Sequence, residues 1–303
     1  MNTLTPIARP DWLPFERWAF DTSVLSTPAR RIAVTDVGSG PTLLFVHVGS
    51  WSFIWRDMLV DLSRQYRCVT LDAPGSGLST QPDEPVSLQG AGDAIRAVID
   101  ALDLHGITLI MHDVGGPTGL TAASERPERI AGLVALNALG WKPVGAALRA
   151  MITVMGSAPA RTSGGVTGWS ARLSASSFGA GRHWDSTDRA VFLAGLDRSA
   201  RRNTHRYIKA LRQENDLLCR VEAALHDEFA GLPLLTVFGS RNDPFGFGKR
   251  WKQLFPHAEQ HIIAGGNHYP MGDDPHRVAE WIRHWHTTQV SPGRFPQNRK
   301  QTR

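Results

Sequence analysis

The sequence predicts an α/β fold: a mostly parallel, doubly wound sheet interrupted by an inserted helical cap. Three observations carry this. Short β-type runs alternate with helical patterns, the signature of a sheet covered by helices. Most of those runs are apolar at both odd and even positions, as strands buried on both faces must be. The alternation also stops between Trp141 and Gly231 and resumes at Leu234. With 303 residues, 42% of them hydrophobic and 20% charged, the chain can bury a substantial core.

Taken in order, the candidate strands are RIAVTDV (31–37), TLLFVHV (42–48), CVTLD (68–72), ITLIMH (107–112), GLVALN (132–137), LLTVFG (234–239) and QHIIA (260–264). Helical spacing marks the stretches 55–62, 91–102, 117–124 and 275–286. The expected division is a core of residues 1–140 and 232–290, a helical cap of residues 141–231 and a basic, flexible tail of residues 291–303. A cap inserted between core strands would lie over the C-terminal strand ends, where open α/β sheets bind ligands.

Composition excludes several function classes. The excess of Lys and Arg (33) over Asp and Glu (28) is small, and much of it sits in the tail at Arg294, Arg299, Lys300 and Arg303, so no nucleic-acid partner is expected. No apolar run approaches the roughly 18 residues of a membrane span, and no membrane partner is expected. The N-terminal residues MNTLTPIARPDWLP lack an apolar signal region, which leads to a cytoplasmic expectation. Cys68 and Cys219 are far apart, without CxxC or nearby His, so neither a disulfide framework nor a zinc site is expected. With no G-x-G-x-x-G after the first strand, no P-loop and no H-E-x-x-H, no cofactor is expected. A homodimer is left open.

The sharpest local signal is ITLIMHDVGGPTGL, in which a buried strand ends at His112, a tight turn follows, and Pro117 opens a helix. A strand, sharp turn and helix with a reactive side chain at the apex form a nucleophile elbow, normally built around Ser. Here the apex is Asp113, which read alone could equally be a helix N-cap. Farther along, FGSRNDPFGF puts Asp243 just past a strand, and GGNHYPMGDDP puts His268 in the loop before the last helix. Nucleophile, acid and His in that order match the triad of this elbow.

On these residues, together with RPDWLP, TLLFVHVGSWSFIWRDML, LDAPGSGLS and RPERI, the chain resembles the α/β-hydrolase superfamily, specifically its haloalkane dehalogenase and epoxide hydrolase branch, whose nucleophile is Asp. The resemblance covers nearly the whole core; the insertion matches only in position and helical character. It implies that Asp113 is the nucleophile, His268 the general base and Asp243 the residue orienting the imidazole. Asp113 would form an ester with the substrate, and His268 would activate the water that hydrolyses it. The backbone N–H of Val114 and one from the Val48–Gly49 loop would hold the oxyanion. Asn137 stands where some subfamilies place their acid, and Asp243 is favoured because an amide cannot serve as the carboxylate.

The chain departs from the family pattern at the leaving-group site. Dehalogenases typically carry Trp after the nucleophile to bind the halide, and fluoroacetate dehalogenases carry Arg; this chain has Val114. The loop HVGSWSFIWR is one residue shorter than the family's and lacks its Pro. Epoxide hydrolases use two cap tyrosines, whereas the insertion holds only Tyr207. Substitute substrate-binding residues are Trp51, in the oxyanion loop, and Trp141, Trp184 and Tyr207 in the cap, with packing as the alternative for each. His47 and His112 flank the site and are expected to bond locally, and Asp72 to brace its loop. The expected function is a cofactor-independent, dehalogenase-like hydrolase acting with water on a small apolar substrate. The alternatives are epoxide, ester or lactone hydrolysis, cofactor-free oxygenation and, remotely, non-catalytic binding.

Overall fold

A computed structural model describes residues 3–290; the basic tail expected at 291–303 lies outside them. The strands are β1 (Thr3–Pro6), β2 (Ser23–Ser26), β3 (Arg31–Val37), β4 (Thr42–Val46), β5 (Arg67–Leu71), β6 (Ile107–His112), β7 (Ile130–Leu136), β8 (Leu234–Gly239) and β9 (Glu259–Ile263). They form one sheet in the order β1-β2-β3-β5-β4-β6-β7-β8-β9. From β5 to β9 neighbouring strands are parallel, and β1, β2 and β3 add an antiparallel edge. The α/β fold with its mostly parallel sheet is therefore as the sequence predicts. β1 and β2 are the additions: each is four residues long, too short to show a period, and Pro6 is tolerated because β1 is the edge.

The helices are α1 (Arg56–Leu62), α2 (Leu88–Ala101), α3 (Gly115–Ser124), α4 (Ala146–Met155), α5 (Ala158–Thr167), α6 (Trp169–Ser174), α7 (Ser186–Ala194), α8 (Arg198–Gln213), α9 (Asn215–His226), α10 (Phe247–Leu254), α11 (Pro270–Asp273) and α12 (Pro275–Trp285). Alternation along the strands divides the core between the two faces of the sheet. Leu44, Val46, Leu109 and Met111 pack with Ile95 and Val98 of α2, Leu120 of α3, and Leu218 and Val221 of α9. Leu43, Phe45 and Ile110 pack with Met58 and Leu59 of α1 and Val278 and Ile282 of α12.

Everything between β7 and β8 is helical or turn. α4 and α5 lie on α8, which descends to the loops at the strand ends. α9 lies against α3 instead, with Leu217, Leu218 and Val221 in the same apolar cluster as the core helices. Cap and core are pinned by polar contacts. The Tyr207 hydroxyl donates to the Pro74 carbonyl at 3.0 Å, the Thr204 hydroxyl to that of Gly49 at 2.8 Å, and the Trp51 indole N–H to that of Phe192 at 2.9 Å.

Candidate active site

β6 delivers Asp113 into a turn where its φ is +49°, left-handed backbone that a non-glycine residue adopts only when its surroundings impose it. Helix α3 starts immediately afterwards. A Cβ on Gly115 would lie 2.4 Å from the Val46 carbonyl oxygen, and one on Gly116 1.9 Å from that of Leu139. Both residues must therefore be glycine for the helix to start this close to the strand ends. Pro117 is the third helical residue, within the first turn whose N–H groups have no helical partner.

His268 lies between β9 and α11 and brings its Nε2 to 3.5 Å from Asp113 Oδ2. The loop is held from below. Asn137, at φ +44°, donates its amide to the carbonyls of Asn267 (2.9 Å) and His268 (2.8 Å), and its oxygen accepts from the Gly239 N–H. His112 Nε2 adds a 2.9 Å bond to the His268 carbonyl. Asp273 accepts from the Asn267 N–H and pairs with Arg182 at 2.8 Å, so a cap residue also secures the His loop.

Asp243 is placed differently from the orienting role that the family resemblance implies. Its carboxylate accepts from the N–H groups of Phe247 (2.6 Å) and Gly248 (2.9 Å), at the start of α10, and forms no hydrogen bond or ion pair with His268. The N-terminal turn of a helix supplies free N–H donors and a positive dipole end, which outcompete a single imidazole for a carboxylate. The preceding residue faces the imidazole instead: Asn242 Nδ2 is 3.0 Å from His268 Nδ1. The sequence did carry a signal for this. An Asp shortly before a helical run reads as a helix start, which would have released Asn242 for the other task.

Electrostatics favour the ionised form of Asp113. Burial pushes the Asp113 carboxyl upward, but its hydrogen bond to His268, its electrostatic interactions with His268 and His112 and the Val114 N–H together bring it below the usual carboxylate range. Burial and the neighbouring His268 lower His47 to about 3. Burial, then His268 and His47, hold His112 well below its ordinary value. These two rings stack at 4.9 Å and are neutral at pH 7. Tyr269 packs on both, and burial raises its hydroxyl to about 12 while it donates to Ser174 Oγ of α6.

The remaining sequence candidates occupy these positions. The Val114 N–H reaches the Asp113 carboxylate. Val48 is buried in the loop above β4, and Gly49 holds φ +81° with its carbonyl accepting from Thr204. Trp51 stacks on Phe53 at 5.2 Å, and its N–H is spent on Phe192. Trp141 packs edge-on to Trp251 under Arg250. Trp184 packs on Phe53 and Phe192. Tyr207 is committed to Pro74. None of these aromatic contacts involves Asp113 or His268. Asp72 braces its loop, accepting from Ser52 and Leu78.

Residues 43–281 match the model of the alpha/beta hydrolase family. The chain belongs to that family. Among curated proteins, a cis-3-alkyl-4-alkyloxetan-2-one decarboxylase of Shewanella oneidensis is 30% identical over 306 aligned positions, covering 92% of this chain and 93% of the relative. Haloalkane dehalogenase 2 of Mycobacterium tuberculosis is 35% identical over 152 positions, about half of each protein (50% and 51%). The fold also resembles a mutant of the haloalkane dehalogenase DatA from Agrobacterium tumefaciens, with a TM-score of 0.75 at 18% identity over 88% of this chain and 96% of that one. This α/β hydrolase thus has dehalogenases and an oxetanone decarboxylase among its relatives.

Proposed function

We propose that Asp113 is a carboxylate nucleophile that forms an ester with a small apolar substrate, and that this substrate is an oxetan-2-one bearing alkyl groups. The observation that carries the first part is Asp113 at the strained apex of the elbow, ionised, with the Val114 N–H on its carboxylate and His268 Nε2 3.5 Å away. Preference for a cyclic ester rests on the relative that matches end to end. It is also supported by the side-chain chemistry: Val114 offers no donor to a departing halide, and the Trp51 N–H is already bonded.

A carboxylate oxygen of Asp113 attacks the ring carbon that carries the ring oxygen. The new C–O bond forms as the ring C–O bond breaks, freeing the substrate's own carboxylate. The bond from that carboxylate to the neighbouring carbon then breaks; its electron pair becomes the C=C bond, CO₂ leaves, and Asp113 is expelled as carboxylate. No water is consumed and no proton is transferred. His268 supplies position and a polar contact beside Asp113, a role for which a neutral amide on its far nitrogen suffices. The half-length dehalogenase match favours a second course, in which Asp113 displaces halide from a haloalkane and His268 activates water against the resulting ester.

The test is incubation with a cis-3,4-dialkyl oxetan-2-one and, separately, a haloalkane panel, assaying alkene, CO₂, hydroxy acid and halide. Alkene with equimolar CO₂, abolished by Asp113→Asn, is the expected result. Halide release without alkene would favour the dehalogenase course, and turnover that survives Asp113→Asn would overturn the nucleophile.

A further inference from the structure

Between Lys142 and Trp184 the chain carries five Lys and Arg residues and no Asp or Glu. Six of the nine large apolar side chains exposed among the described residues lie in the same segment: Val144, Met151, Val154, Val166, Leu173 and Phe178. Helix α4, AALRAMITVM, is apolar around most of its circumference, yet only Leu148 and Ile152 are buried. A helix of that composition normally has partners on several sides; this one leaves Met151 and Val154 in solvent, Val154 two-thirds exposed (66%). Phe178, after α6, is 69% exposed. Arg149 and Arg172 are exposed on the same helices, and their guanidinium Nε atoms bond backbone carbonyls of their own segment, leaving the charge without a carboxylate.

We propose that the α4–α6 face of the cap docks on an anionic lipid surface. Apolar side chains interspersed with arginines, without a single acid, match the interfacial pattern: the apolar groups enter the headgroup boundary while the cations meet lipid phosphates. An acidic protein partner would match the charge but not six scattered apolar side chains. No helix among the described residues is long and apolar enough to cross a membrane, so the association is with the surface. The face is also wired to the chemistry, because Ser174 of α6 accepts the hydrogen bond of Tyr269, the residue after His268. A site that takes apolar substrates gains from a cap seated where such molecules partition. This departs from the expectation of no membrane partner, which rested on the lack of an apolar run long enough to span a bilayer.

The experiment is sedimentation of the full chain with vesicles of phosphatidylglycerol and phosphatidylcholine, against vesicles of phosphatidylcholine alone. Pelleting with the anionic vesicles, weakened by salt, is expected. Arg149→Gln and Arg172→Gln should each weaken partition by about fivefold, and Met151→Ser with Val154→Ser should reduce it further, all with unchanged melting temperature. No pelleting with anionic vesicles would overturn the proposal. Pelleting indifferent to these four substitutions would assign it to another basic segment and overturn it equally. A dimer seen by light scattering and dispersed by Met151→Ser with Val154→Ser would show that a second copy covers the face instead.

Discussion

Asn242 and Asp243 are neighbours in one turn, and the turn sends one side chain to His268 and the other to the start of α10. The amide can give Nδ1 a donor or an acceptor, but it brings no charge to stabilise an imidazolium. Replacing it by Ala removes one neutral hydrogen bond, so kcat should fall by about tenfold with KM little changed. A loss as large as about 10⁴, the size seen when a triad carboxylate is disabled, would mean that Asn242 does more than position the ring. Asn242→Asp adds the missing counter-charge and should divert the Asp113 ester towards hydrolysis, read as hydroxy acid gained against alkene; an unchanged product ratio would refute it. His47 gives a second prediction at this scale. Its two ring nitrogens have no hydrogen-bond partner among the described residues, and burial lowers it to about 3, from 6.5. Between those values the unfolded chain binds a proton that the folded one refuses, so stability is full above about pH 6.5 and declines as pH falls. His47→Phe should remove about 3 kcal/mol of that decline between about pH 6.5 and pH 4, measured by denaturant midpoints. Identical acid limbs in both proteins would count against it.

At the scale of elements, the helix starts hold the design together. If Asp243 caps α10, Asp243→Ala should cost about 1 kcal/mol of stability while changing kcat by less than about fivefold. A collapse of kcat at unchanged stability would return Asp243 to the triad. Much of this level was legible in the sequence. Most of the seven core strands declare themselves through apolar runs, because a parallel strand inside the sheet must be covered on both faces. The elbow declares itself through Asp113-Val114-Gly115-Gly116. Triad order alone does not say which of two adjacent polar residues a turn points at a ring; only the helix-start signal at Asp243 bears on it. β1 and β2 were illegible for a different reason: TLTP and SVLS take their strand conformation from pairing with β3, not from a pattern of their own.

At the scale of the whole molecule, the cap is built into both cores. Leu148, Ile152, Tyr207 and Ala210 belong to the cluster on one face of the sheet. Trp184, Phe192, Leu196 and Ala200 belong to the one on the other face, with Trp51 and Phe53. The polar links fall on the loops that shape the site, at Gly49, Pro74 and Gly75. Breaking one should therefore disturb chemistry and stability together. Tyr207→Phe leaves the buried Pro74 carbonyl without its donor, at a cost of about 1–3 kcal/mol. Because the cap shares its apolar clusters with the sheet, it cannot melt without exposing core surface, and unfolding should be one cooperative transition. Near-ultraviolet circular dichroism, dominated by the tryptophans packed between cap and core, should then coincide with the far-ultraviolet signal in wild type and in Tyr207→Phe, both shifted to lower temperature in the variant. An earlier near-ultraviolet transition would mean that the cap unfolds as a separate unit and that the shared clusters do not couple it to the sheet.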